Sequence, residues 1–278
     1  MKQKNTNLIW LTESAIMIAL STILSLIKIF DLPYGGSITA GSMLPIVIIA
    51  YRYGTAKGLI TGLAYSVIQL IFGLGSVSYA TSWVAGVAII MLDYIIAFTV
   101  TGLGGIFRKK TNDNQTSSII FGALLVCILR YICHIISGCT VWAGVSIPSS
   151  DGLIYSVSYN ATYMIPETII VLLLAWYLTG IIDFSSATLR PIKKDSSRQS
   201  GLLPYALITG GFACLTVAII FDVVTLFGSL QNPESGELDF SLISNADLTS
   251  IGIVSAVGVL LMAVLLTASV IIKNKRKK

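Results

Sequence analysis

The residues best equipped for chemistry lie between Arg130 and Glu167, in the stretch RYICHIISGCTVWAGVSIPSSDGLIYSVSYNATYMIPE. It holds the only histidine of the chain, His134, together with Trp142, Tyr155, Tyr159, Asn160, Tyr163 and Glu167. Aromatic faces attract a cation. An imidazole and an amide can read ring nitrogens and hydroxyls, and a carboxylate can accept from an amino group or balance a positive charge. If residues 160–167 are helical, Asn160, Tyr163 and Glu167 fall on one stripe at i, i+3 and i+7. Taken singly, the tyrosines and tryptophans also suit a membrane boundary, and Asn160 also suits a helix N-cap. All of them within 38 residues point to a binding site for a small polar or cationic ligand.

Such a set must be held by something, and the composition says what. The 278 residues are 55% hydrophobic and 11% charged, with a mean hydropathy of +0.85. A soluble domain carries about 25% charged residues. Repeated apolar runs near the length of a bilayer span make this an all-α polytopic membrane protein. The first run follows Met-Lys-Gln-Lys, outlasts a signal peptide and has no small-residue cleavage site, so it reads as a retained span. The net charge of +5 sits in short clusters between spans and does not point to nucleic acid. Cys127, Cys133, Cys139 and Cys214 lack CxxC spacing and read as packing residues, not a disulfide or metal set.

Eight spans are predicted: Leu8–Phe30, Ser37–Tyr51, Gly58–Phe72, Trp83–Ile106, Ser118–Ile136, Asn160–Ile182, Leu203–Phe227 and Thr249–Ile272. The second is short and contains Pro45. Charge placement supports it. Sixteen of the eighteen Lys and Arg residues lie at the N-terminus, at Arg52 and Lys57, at Arg108–Lys110, at Arg190–Arg198 and at Lys273–Lys278. With eight spans these all fall on one side, which the positive-inside rule makes cytoplasmic, along with both termini. The opposite loops, around 31–36, 73–82, 137–159 and 228–248, hold no Lys or Arg. Of the two remaining basic residues, Lys28 can snorkel from the end of its span. Arg130 lies roughly 18 Å into span 5 at 1.5 Å per residue. Asp93 sits at a comparable depth in span 4, so a buried Arg130–Asp93 pair is expected. The acid of span 7, Asp222, finds no role.

No GxxxxGK[ST], HExxH or GxSxG motif occurs, and one histidine cannot build a multi-histidine metal centre. The chain therefore carries no ATPase and no recognisable catalytic constellation, and no cofactor is expected. Transport would draw on a partner protein or an ion gradient. On span 1, Ala15 and Ala19 form a small-xxx-small pair on which another helix can approach closely.

Together these residues resemble the ThiT family, the thiamine-binding S components of energy-coupling factor (ECF) transporters. The resemblance is carried by RYxxHxxxG at Arg130–Gly138, Trp142 and YSxxxN at Tyr155–Asn160. It extends to Leu92-Asp93-Tyr94, Met43-Leu44-Pro45 and Ala15xxxAla19, and covers about residues 8–185. It implies a six-helix bundle with both ends cytoplasmic, to which this chain adds two further spans. His134, Trp142, Tyr155 and Asn160 match family binding residues directly. The family's glutamate in span 4 is Asp93 here, followed by Tyr94, and a family aromatic at the outer end of that span corresponds to Trp83. Where the family can place a tryptophan over the ligand after span 1, this chain offers Tyr34 before Gly35-Gly36. Residues 201–278 lie outside the resemblance.

The resemblance thus implies a membrane subunit that captures thiamine, is energised by a transmembrane coupling subunit and two ATPases, and meets that partner through Ala15 and Ala19. Its expected binding set is Tyr34, Trp83, Asp93, Tyr94, His134, Trp142, Tyr155 and Asn160, to which the residue chemistry adds Glu167. Three segments follow: a membrane binding domain over 1–185, a cytoplasmic linker over 186–200, and a two-helix extension over 201–278. A stand-alone proton-coupled transporter of a cationic vitamin or amine, with Asp93 or Glu167 as proton site, is the alternative. A regulatory or structural membrane protein whose aromatics only anchor it at the interface is another.

Overall fold

The computed structural model describes residues 6–32, 36–80, 82–111, 114–142, 150–192, 202–230, 242 and 245–275. The chain divides into two compact units, Met1–Ile192 and Lys193–Lys278.

The first unit opens with α1 (Thr6–Leu26), followed by a short hairpin of β1 (Lys28–Asp31) and β2 (Ser37–Thr39). Next come α2 (Leu44–Tyr53) and α3 (Thr55–Gly73), the latter running on as a 3-10 turn over Leu74–Tyr79. Helix α4 (Trp83–Gly105) is composite, with a π segment at Ile89–Ile96 and a 3-10 segment at Val100–Gly105. Then follow α5 (Gln115–Trp142) and α6 (Ser150–Ile181), and a minimal β3 (Ile182–Asp183) paired with β4 (Arg190–Pro191).

One end of this unit is tied together by side chains. The Arg52 guanidinium, at the end of α2, makes a two-bonded pair with Glu13 of α1 at 2.8 and 3.0 Å. It also donates to the carbonyls of Phe184 and Ser186, just past α6. Arg108, after α4, donates to the carbonyls of Tyr51 and Arg52. Lys57 of α3 reaches Asn7 of α1, and Gln115 of α5 reaches the carbonyls of Thr179 and Ile182. The starts of α1, α3 and α5 thus meet the ends of α2, α4 and α6. The elements run alternately up and down, and Arg52, Lys57 and Arg108 of the expected inner loops collect at one end.

The second predicted span, Ser37–Tyr51, differs from expectation. It is a strand, a turn and a ten-residue helix. At 1.5 Å per residue α2 is about 15 Å long, half of a hydrocarbon core. Pro45 sits in its first turn, where its missing N–H costs nothing. Residues Leu44 to Tyr51 are all buried, packed against Ile119, Ala123 and Val126 of α5 and Val171 and Ala175 of α6. Non-helical backbone is tolerated at this depth because protein, not lipid, surrounds it.

Two other predicted bounds are corrected. The expected outer loop 137–159 is largely helical, since α5 runs to Trp142 and α6 begins at Ser150. Its polar and aromatic residues lower the hydropathy without opposing helix formation. At 32 residues α6 is about 48 Å long, more than a bilayer core requires. Asn160 lies a full ten residues inside α6, so it is not an N-cap.

The second unit pairs α7 (Leu202–Leu230) with α8 (Leu248–Lys275). Gly258 leaves the space taken by the Ala218 side chain, and Ser269 Oγ donates to the Pro204 carbonyl at 2.8 Å. Ser255 Oγ donates to Asp222, so the isolated acid of span 7 holds the two helices in register. Seven described helices are long and apolar enough to cross a membrane: α1, α3, α4, α5, α6, α7 and α8.

Candidate substrate-binding site

A cavity of about 350 Å³ opens in the half of the first unit away from the tied end. It lies between the end of α1, β2, the end of α3 and the facing stretches of α4, α5 and α6. That volume is in the range of small-molecule sites.

Helix α4 supplies the first wall through its π segment, a local widening that is frequent at functional sites. Asp93 and Tyr94 sit inside it. The Tyr94 hydroxyl donates to the Gly73 carbonyl and lies 3.0 Å from Ser76 Oγ, anchoring α4 to the end of α3. Tyr94 stacks on Phe98, and Phe98 meets Tyr65 edge-on at 5.4 Å.

Asp93 faces α5. Its Oδ1 lies 2.8 Å from His134 Nδ1, and its Oδ2 accepts from Ser137 Oγ at 2.6 Å. The expected Arg130–Asp93 pair does not form. Arg130 instead lays its guanidinium over the Phe98 ring, 4.5 Å from the centroid, and is buried without an ion pair among the described residues. The imidazole takes the carboxylate because it projects from α5 one turn closer to the π segment of α4.

Helix α6 supplies the wall opposite α4. Asn160 Nδ2 donates to the Ser156 carbonyl at 2.8 Å and to the His134 carbonyl at 3.3 Å, while its Oδ1 accepts from the Tyr163 hydroxyl at 2.5 Å. The α5–α6 approach is close because Gly138 has no side chain: a Cβ there would collide with Ser156. Tyr163 contacts both His134 and Tyr159 edge-on, at 5.9 and 6.3 Å. Glu167 is buried and ties the hairpin to α6. Its Oε2 accepts from the Thr39 backbone N–H and its Oε1 from Thr39 Oγ1, both at 2.6 Å.

Of the expected binding residues, Asp93, Tyr94, His134, Asn160 and Glu167 line this one cavity. Trp83 stands outside the lining, 81% exposed at the start of α4. Tyr34 lies outside the described residues, as do the side chains of Trp142 and Tyr155, whose backbones belong to α5 and α6. Arg130, Phe98 and Tyr159 line the cavity without having been in the expected set. A signal for Arg130 was present in its position four residues before His134, which places both on one helical face.

A family model for thiamine transporter proteins (Thia_YuaJ) matches residues 11–184. The chain belongs to this family. The thiamine transporter ThiT of Bacillus subtilis (strain 168) is 33% identical over 177 residues, covering 60% of this chain and 88% of that protein. A solved structure of ThiT from Listeria monocytogenes is similar in fold, with a TM-score of 0.50 at 22% identity over 63% of this chain and 95% of that one. The family is one of transporters, not enzymes, and with its apolar helices the chain is a multi-pass membrane protein. Every residue that lines the cavity falls within the matched stretch, whereas α7 and α8 lie beyond it.

Proposed function

We propose that the chain is the thiamine-capturing membrane subunit of an ECF-type vitamin uptake transporter. The observation that carries this reading is the charge balance of the cavity. Two carboxyl groups, Asp93 and Glu167, line the cavity against one buried guanidinium, Arg130. At the rim, Lys28 is cancelled by Asp31 at 2.8 Å. Two carboxyl groups against one guanidinium suit the single permanent cation of thiamine. Tyr159 and Tyr163 also line the cavity, and an aromatic ring is worth about 0.5–2 kcal/mol to a cation over its face.

In this reading Asp93, Tyr94, His134, Asn160 and Glu167 form the polar wall. Trp142, Tyr155, Tyr34 and Trp83 are further ligand contacts in this reading, the first three through side chains that lie outside the described residues. Both termini face the cytoplasm, and a transmembrane coupling subunit with two ATPases energises uptake. Ala15 and Ala19 support that partnership, since both are exposed on α1 while Ser14 and Ser21 form its buried face.

Two measurements test the reading. Calorimetric titration of the purified protein with thiamine is expected to give tight one-to-one binding. Uptake into proteoliposomes is expected only when the coupling and ATPase subunits are present. Uptake without them, lost on collapse of a proton gradient, would instead establish a secondary transporter.

A further inference from the structure

Helix α1 is mostly apolar, yet its only two buried residues are serines, Ser14 and Ser21. Leu8, Leu11, Ile16, Leu20, Ile23 and Leu26 are all exposed. A membrane allows that inversion. Apolar side chains gain nothing by leaving lipid, so small and polar residues make the contacts between helices. Met17 and Ile18 are only partly buried where they pack against the bundle.

The facing residues on α3 are regularly spaced. Lys57, Thr61, Tyr65 and Gln69 stand at successive i+4 positions, one ridge of that helix. Each of them meets α1. Lys57 Nζ donates to Asn7 Oδ1 at 2.8 Å. Thr61 Oγ1 gives its proton to the Lys57 carbonyl at 2.9 Å, so Ser14 Oγ donates to Thr61 Oγ1 at 3.1 Å. The Tyr65 hydroxyl donates to the Ser21 carbonyl at 3.4 Å, and Gln69 Nε2 donates to Ser25 Oγ at 3.0 Å. Ser14, Ser21, Thr61, Tyr65 and Gln69 are all buried. Around the axis of α1 the partners Asn7, Ser14, Ser21 and Ser25 fall within about 40° of one another, and Ala15 and Ala19 lie about a third of a turn away.

We propose that this polar seam sets the rotation of α1 in the membrane, so that Thr61, Tyr65 and Gln69 of α3 are positioning residues for a partner that docks on Ala15 and Ala19. The inference rests on the ECF reading given above and deepens it by naming what aims the docking face. Lipid solvates the apolar faces of α1 equally well, so apolar contact leaves its rotation weakly specified. Four hydrogen bonds along one side specify it. A modest rotation would bring Ile16 and Ile23 to the place of the alanines, and their bulk keeps a second helix at a distance. Thr61 and Tyr65 are buried, so they reach the partner only through α1.

The test pairs thiamine calorimetry on the isolated full chain with uptake into proteoliposomes that contain the coupling and ATPase subunits. The variant is Ser14→Ala/Thr61→Val/Tyr65→Phe, which removes two of the four hydrogen bonds at positions that do not line the cavity. Its thiamine affinity is expected within about threefold of wild type. Uptake is expected to fall at least about tenfold, with loss of co-purifying coupling subunit. Thr61→Ser keeps the hydroxyl and is expected to keep uptake. Spin labels at Ile18 and Ala19, in the isolated chain with its native cysteines replaced, read the rotation itself. Ala19 is exposed and Ile18 half-buried, so oxygen dissolved in lipid is expected to favour the label at 19 in the wild type and to reach both alike in the variant. If the triple variant does not fold, Thr61→Val alone carries the comparison, with uptake lowered about threefold. Wild-type uptake by the variant overturns the inference. A loss of affinity as large as the loss of uptake overturns it too, since the seam would then be internal packing alone. If the wild type binds no thiamine, or takes it up without the coupling subunit, the ECF reading falls and this inference with it.

Discussion

Glu167 on α6 holds Thr39 of the β1–β2 hairpin by two hydrogen bonds of 2.6 Å, one from the backbone N–H and one from the hydroxyl. The residues are 128 apart in sequence, and the contact is the buried polar tie between the hairpin and the long helices. Thr39 Oγ1 is further positioned by Ser42, 3.0 Å away. A buried polar group left without its partner costs about 1–3 kcal/mol. Glu167→Leu removes both acceptors and leaves the Thr39 N–H and hydroxyl without them. The melting temperature of the purified protein in detergent is expected to fall, together with ligand affinity. An unchanged melting temperature would remove Glu167 from the framework of the site.

Asp93 allows a graded test of charge. Asp93→Asn removes the carboxyl group that engages His134 and Ser137, one of the two in the cavity. Thiamine affinity is expected to drop at least tenfold, about 1.4 kcal/mol, and more than on removal of a single aromatic ring. Asp93→Glu keeps the carboxyl group and adds one methylene, so binding is expected to be retained or tightened. Calorimetry on both variants decides. Equal losses from Asn and Glu would mean that shape, not charge, matters at this position.

Much of this arrangement was legible in the sequence, and the failures have physical causes. Apolar run length located seven crossing helices because a bilayer imposes that length. Hydropathy misjudged the second element, since α2 is short and enclosed by protein, where no minimum length applies. It also cut α5 and α6 short, because their outer turns carry Ser, Tyr and Asn without ceasing to be helical. Residue types singled out His134, Asn160 and Glu167, which the structure brings to one cavity. Depth alone suggested that Arg130 pairs with Asp93. The π segment of α4 and the aromatic stack Tyr94–Phe98 settle that question otherwise, and neither has a sequence signature at this level.

The crossing of α3 and α4 offers a packing test. A Cβ on Gly102 would collide with the backbone of Gly58 and Leu59, which cannot move as a side-chain tip can. Overpacking of this sort costs about 1–3 kcal/mol. Gly102→Ala is expected to lower the thermal midpoint in detergent clearly. Gly75→Ala, with nothing within 4 Å of the added methyl, is expected to leave it unchanged. Similar midpoints for the two would show that α3 and α4 do not meet through their glycines.

The second unit should be dispensable for capture. The family match ends at residue 184. The contacts that close the first unit, Arg52 to the carbonyls of Phe184 and Ser186 and the β3–β4 pair, all precede residue 192. A chain ending near Arg198 is expected to insert in the membrane and to bind thiamine within about threefold of the full chain, a difference under about 0.7 kcal/mol. Loss of binding by a truncated protein that remains monodisperse would assign part of the site to α7 or α8.

The outward face of α1 separates coupling from binding. Ser14 hydrogen-bonds Thr61 of α3 at 3.1 Å, and with Ser21 it forms the buried side of the helix. Ala15 and Ala19 lie on the exposed side, flanked by Leu11, Ile16 and Ile23. Small residues four apart let a second helix approach closely, and an indole prevents it. Neither alanine lines the cavity. Ala15→Trp and Ala19→Trp are therefore expected to abolish uptake in proteoliposomes containing the coupling and ATPase subunits, with thiamine affinity of the isolated protein within about twofold of wild type. Co-purification of the coupling subunit should fail in parallel. If affinity fell as far as uptake, this face would belong to the internal packing of the bundle and the partner would have to dock elsewhere.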